Sequence, residues 1–114
     1  MQTFGEKVLA FYHSIETDFA LPDGVEVLKP FSHPASAATA EAFYRRFYND
    51  TGTRNFIVGI NPGRFGAGVT GIPFTDPVKL KEFCGIDHDF APKTELSADF
   101  IYSVIRAYGG AEAF

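Results

Sequence analysis

Apolar residues near the start of the chain recur at a helical period. Phe4, Val8, Phe11, Tyr12 and Ile15 share one face, and Thr3 with Glu6 three residues on forms a capping box ahead of them. This predicts a first helix. Leu21-Pro22-Asp23-Gly24 is turn chemistry, and the Val25 to Leu28 run after it reads as a short strand or an extended arm before Pro30 and Pro34 break regularity. Residues 36–49 put Phe43, Tyr44, Phe47 and Tyr48 on one face with Arg45 and Arg46 turned elsewhere, and Asn49 to Gly52 supplies a stop. A second helix is predicted there. At residues 55–60 the pattern changes to NFIVGI, a short continuous apolar run with β-branched residues, as expected of a central parallel strand buried on both faces. Asp76-Pro77 reads as an N-cap followed by Pro at the first helical position, leading VKLKEFC to a stop at Gly85. The last predicted helix runs from about Thr94 to Tyr108, with Leu96, Phe100, Ile101, Val104, Ile105 and Tyr108 in period, and ends at Gly109-Gly110.

The predicted order is helix, helix, strand, loop, helix, helix, with no internal repeat or low-complexity linker. A parallel sheet with helices on both faces needs several strands, and only one is well marked here. The chain ends at AEAF just after the Gly-Gly stop, where the pattern of a new helix begins. Residues 1–114 therefore read as the N-terminal part of a single, larger α/β domain. Truncation of such a domain exposes apolar surface, from which a homodimer through that surface is expected.

Composition narrows the classes. With 46% apolar and 21% charged residues the chain is an ordinary globular one, unusual only in its 13 Phe and 5 Tyr, which indicate an aromatic-rich core. A net charge of −4 argues against a protein held to nucleic acid mainly by phosphate contacts, while leaving room for a DNA enzyme with a local basic groove. The single cysteine, Cys84, rules out an internal disulfide framework and fits a reducing compartment. The first residues are neither a signal peptide nor a membrane span, so a cytoplasmic location is the expectation, and the glycosylation match at Asn49-Asp50-Thr51 is idle there.

The chemistry concentrates in the loop after the predicted strand, GINPGRFGAGVTGIPF at residues 59–74. A nucleoside-triphosphate loop would need Gly-Lys-Ser/Thr opening a helix, and no Lys occurs between Lys29 and Lys79. The Gly66-Ala67-Gly68-Val69-Thr70-Gly71 run has dinucleotide-fingerprint spacing, yet Ile72-Pro73-Phe74 stands where the helix should continue. A third reading places a ligand outside the carboxyl end of the strand, where Asn61 falls. An Asn there orients a water or a neutral base without titrating, glycines admit a flat ligand close to the backbone, and Phe74 stacks on the ligand's face. Taken singly, Asn-Pro-Gly is a turn and Phe74 a core residue. Their combination in one uninterrupted segment favours a site.

That segment resembles the first active-site motif of the single-strand-selective monofunctional uracil-DNA glycosylases, a branch of the uracil-DNA glycosylase superfamily. The residues that match the family pattern are Gly59, Asn61, Pro62, Gly63, Phe65, Gly66, Thr70, Gly71, Pro73 and Phe74, with Ile60 and Ile72 as conservative departures and Arg64 in place of a proline. The resemblance implies a three-layer α/β/α fold with a parallel central sheet, here partial. It implies DNA base-excision repair, by hydrolysis of the N-glycosidic bond of uracil or a related damaged pyrimidine flipped out of DNA. Asn61 would position the water and Phe74 would stack on the base. The backbone at Ile60 and Phe74 would bond the base's carbonyl and imide groups, and Gly63 and Ala67 would lie near its C5 edge. No metal or organic cofactor is implied.

The family's second motif, a His-Pro-Ser-Pro-like segment, and its strand bearing a uracil-reading Asn do not occur within residues 1–114, so this chain alone is expected to be inactive or severely impaired. The alternative is a non-catalytic nucleotide or nucleic-acid binding module. A third reading is an isolated fragment that pairs with another copy. His88, between Asp87 and Asp89 and four residues after Cys84, lacks the further ligands of a metal site and reads as a solvated loop. His13 and His33 have no catalytic spacing, and Arg45-Arg46 reads as a solvated helix face.

Overall fold

The computed structural model describes residues 1–114. The elements are α1 (Phe4–Ser14), a 3-10 turn (Pro30–Ser32), α2 (Pro34–Phe47), α3 (Ala67–Thr70), α4 (Pro77–Glu82) and α5 (Leu96–Tyr108). No helix is long and apolar enough to cross a membrane.

The capping box forms as the sequence predicts: the Glu6 N–H donates to Thr3 Oγ1 at 3.2 Å and the Thr3 N–H to Glu6 Oε2 at 2.9 Å. A helix start leaves further N–H groups without partners, and a helix end leaves carbonyls. Here the two deficits meet. The Phe4 N–H donates to the Asp50 carbonyl at 2.7 Å and the Gly5 N–H to the Tyr48 carbonyl at 2.9 Å, so α1 begins against the exit of α2. Contact this close requires glycine at position 5, since a Cβ there would stand 2.6 Å from the Tyr44 carbonyl oxygen. Tyr12 then stacks on Phe31 of the 3-10 turn, with centroids 4.4 Å apart. Phe11 and Ile15, assigned to the same face by periodicity, remain exposed.

α2 buries Ser36, Thr39, Ala40 and Tyr44. In its aromatic stripe Phe43 meets Tyr44 edge-on at 5.3 Å and Phe47 at 5.2 Å, and Phe43 and Phe47 pack against the core. The core lies where α2, α4 and α5 converge on residues 70–75: Ala40, Ile72, Leu80, Cys84, Ile86, Tyr102 and Ile105 form one cluster. Inside it the Tyr102 hydroxyl pairs with Thr75 Oγ1 at 2.8 Å and with Cys84 Sγ at 3.2 Å.

The expected α/β/α architecture with a parallel central sheet is contradicted. No strand forms anywhere in residues 1–114. Residues 55–60 are irregular and exposed, with Phe56 78%, Val58 89% and Ile60 102% accessible, and Val25 to Leu28 is likewise neither helix nor strand. The reason is the nature of a ladder: a strand exists only where another backbone accepts and donates its hydrogen bonds, and no segment of this chain lies alongside NFIVGI to do so.

Two tests follow from this packing. Gly5→Ala is expected to cost about 1–3 kcal/mol by forcing α1 off the α2 carbonyls, read as a lower urea midpoint. The Tyr44 and Tyr102 phenols are pushed above their ordinary 10.0, chiefly by burial. With folded-state values raised, the stability they contribute is full below pH 10.0 and lost as pH rises from there toward the folded values. Urea unfolding across alkaline pH is expected to weaken over that window, and Tyr102→Phe to flatten the slope by up to about 1.4 kcal/mol per pH unit.

Candidate active site

The segment that carries Asn61 is anchored at its upstream end. Arg54 pairs with Asp50 at 2.7 Å and lies over the rings of Phe4 and Tyr48, 5.2 and 5.3 Å from their centroids. That hydrogen bond, with a second from the Gly52 N–H, holds the Asp50 carboxyl below its ordinary range. The chain then runs exposed to Asn61. Asn61 is itself exposed, its Nδ2 donates to the Pro62 carbonyl at 3.1 Å, and its Oδ1 accepts no hydrogen bond from the protein.

Beyond Asn61 the glycine loop closes on itself. The Gly68 N–H donates to the Gly63 carbonyl at 2.8 Å, and the single helical turn α3 ends at Gly71 with φ +74°, a left-handed cap that glycine adopts without strain. Thr70 is fully buried and fastens residues 72–75: its Oγ1 donates to the Thr75 carbonyl at 2.8 Å and accepts the Ile72 N–H at 3.1 Å.

Phe74 is the non-glycine residue with positive φ, at +57°. Its half-buried ring lies against residue 59, where a Cβ would stand 3.0 Å from the ring's Cζ. Gly59 thus lets Phe74 rest on the backbone two residues before Asn61, and the two ends of the 59–74 segment are brought together. Gly63 is half-buried and Ala67 buried, while Ile60 points its side chain to solvent. Ala67 lines a cleft of about 190 Å³ with Tyr12, Leu28, Phe31, Pro62 and Pro73.

Asp76 turns out to do more than the capping its sequence position suggests. Fully buried, its carboxylate accepts the Lys79 N–H at 2.8 Å, the Lys79 ammonium at 3.3 Å and the Glu95 N–H at 3.0 Å. Lys79 bridges on to Asp99. Burial pulls the Lys79 pKa down, but the Asp99 hydrogen bond and the Asp76 charge outweigh it and leave the ammonium above its ordinary value. One buried carboxylate therefore ties the starts of α4 and α5 to the end of the glycine loop. Glu95, which sequence reasoning passed over, reaches back to accept the Phe65 N–H at 2.8 Å.

His88 and His13 make local hydrogen bonds. His88 Nε2 lies 2.6 Å from the Pro77 carbonyl while its Nδ1 accepts the Phe90 N–H at 3.1 Å, a pattern that fits the neutral Nε2–H tautomer and pins residues 88–90 to α4. His13 Nδ1 lies 2.7 Å from the Leu9 carbonyl. Arg45 and Arg46 pair with Glu41 and Glu112 on an exposed face, each at 2.8 Å.

A left-handed backbone at a residue with a Cβ costs about 1–2 kcal/mol. Phe74→Gly is therefore expected to be more stable than Phe74→Ala by about 1 kcal/mol in urea unfolding, although both lose the ring. Equal stabilities, or a more stable alanine variant, would show that the backbone at position 74 is not held left-handed.

No family model and no curated relative matches the chain. Among solved structures it is similar to the crystal structure of wild-type SMUG2 from Pedobacter heparinus, with 46% sequence identity and a TM-score of 0.89. The match covers 100% of this chain and 50% of that one, so the chain spans about half the length of this neighbour. Neither the structure nor this neighbour supports the expected homodimer.

Proposed function

We propose, from the premise that this chain corresponds to the N-terminal part of a uracil-DNA glycosylase-family member, that its glycine loop takes part in excising uracil or a related damaged pyrimidine from DNA. The observation that carries this reading is the meeting of Phe74 with Gly59, two residues before an exposed Asn61. The 46% identity to SMUG2, over the whole of this chain, supports it independently.

The chemistry follows from that arrangement. A base still in the helix cannot reach a loop, so the nucleotide is extruded and its base stacks on Phe74. As the N-glycosidic bond breaks, positive charge develops on the sugar and negative charge on the departing base. Backbone groups at Ile60 and Phe74 hydrogen-bond the base's carbonyl and imide edge, and donors there stabilise the developing anion more than the neutral base. Asn61 cannot titrate, so it holds the water at C1′ without acting as its base, and the free Oδ1 is the acceptor available for that. The water's oxygen bonds to C1′, the base leaves with the bonding pair, and the water's proton goes to solvent. Gly63 and Ala67 bound the C5 edge, where their small size admits or excludes substituents. Arg64, exposed within the loop, and Lys93, 4.6 Å over the Phe65 ring, supply local positive charge on an otherwise acidic chain.

Residues 1–114 lack the second motif, so excision is expected only when the half of the neighbour that this chain does not cover is also present. The test compares this chain, a chain completed with that half of the Pedobacter heparinus protein, and the Asn61→Ala form of each, on a uracil-containing oligonucleotide cleaved with alkali. The completed chain is expected to excise uracil, Asn61→Ala to slow it by about a hundredfold or more, and the short chain to show little or none. A completed chain that binds the oligonucleotide yet leaves uracil in place would make the loop a binding device and end the enzymatic reading.

A further inference from the structure

Glu95 occupies the N-cap position of α5, with φ −132° and ψ 143°, yet its side chain does not cap that helix. The carboxylate turns away to the glycine loop, where Oε1 accepts the Phe65 N–H at 2.8 Å. It lies so close over Gly63 and Gly66 that a Cβ on either would collide with it. The backbone of Glu95 is fixed as well, its N–H donating to buried Asp76 at 3.0 Å. Two residues earlier, Lys93 holds its ammonium 4.6 Å over the ring of Phe65. Residues 93–95 thus grip the turn 63–66 from outside.

We propose that Glu95 is a positioning residue: anchored by Asp76, its carboxylate seats the glycine turn after Asn61 and so fixes where the Asn61 amide stands relative to Phe74. A loop with Gly63, Gly66 and Gly68 has a large backbone entropy to lose, and the one hydrogen bond of the Asn61 side chain is to the adjacent Pro62 carbonyl. An ionised acceptor makes roughly twice as strong a hydrogen bond as a neutral one, and it suits an N–H on so mobile a turn. The same contact explains two of the glycines. Gly63 and Gly66 leave room for the carboxylate, whatever further use the loop has for their small size.

The seating rests on geometry, and its effect on turnover rests on the glycosylase reading. Amide NMR of this chain tests the first. The Phe65 N–H is expected to be protected from exchange in the parent. Glu95→Gln should keep that amide protected, and Glu95→Ala should speed its exchange at least about tenfold with the Leu80 amide unchanged. A Phe65 amide that exchanges as slowly in Glu95→Ala as in the parent would overturn the seating. If Glu95→Ala fails to fold, the parent still decides, since a Phe65 amide unprotected there overturns the seating as well. In the completed chain, Glu95→Ala is expected to lower kcat for uracil excision about a hundredfold with KM little changed, and Glu95→Gln to recover most of it. A Glu95→Ala enzyme as fast as its parent would overturn the positioning role. If the parent itself excises nothing while Glu95→Ala frees the Phe65 amide, the seating stands and the glycosylase reading alone fails.

Discussion

The buried carboxylate of Asp76 is the constraint on which the arrangement around the loop depends. A carboxylate removed from water is costly unless its charge and lone pairs are matched, and breaking such a match typically costs about 3–5 kcal/mol. Asp76 meets that requirement with Lys79 and the Glu95 N–H, partners that lie on different elements. Satisfying one charge therefore fixes three things together: the start of α4, the approach of α5, and the exit of the glycine loop. Lys79, shared with Asp99, extends the tie along α5.

From that tie the loop is assembled inward from both sides. Thr70 and Tyr102 hold residues 70–75 against the core through Thr75, so the left-handed backbone at Phe74 is imposed by buried hydrogen bonds on either side of it. The strain is local and the surroundings over-determine it, a pairing found at functional positions. Upstream, Arg54 fastens the chain to the α1–α2 contact before it runs out exposed to Asn61. Both the ring of Phe74 and the turn after Asn61 are held by contacts from distant parts of the chain.

Local signals in the sequence were legible and long-range ones were not. The Thr3–Glu6 capping box, the Asp76-Pro77 start and the Gly109-Gly110 stop each depend on a few adjacent residues, and each helix formed close to where they place it. The 59–74 segment pointed to the superfamily that the solved neighbour represents. NFIVGI misled because apolar, β-branched character describes a segment suited to a ladder, while the ladder itself depends on a second backbone. Phe11 and Ile15 kept helical period yet stayed exposed, since periodicity names a face without saying how much of it is covered. The α3 turn hid among glycines, which carry little propensity signal. Glu95 left no local trace at all: its partner Phe65 lies 30 residues away, and a Glu before a helix reads as an ordinary solvated residue.

The most direct test of the account is a crystal structure of the Asn61→Ala form of the completed chain with a single-stranded oligonucleotide containing one deoxyuridine. The account requires the extruded uracil to stack on the Phe74 ring, with its polar edge on the backbone at Ile60 and Phe74 and its C5 edge toward Gly63 and Ala67. A uracil bound elsewhere, with the 59–74 loop untouched by the nucleotide, would contradict it.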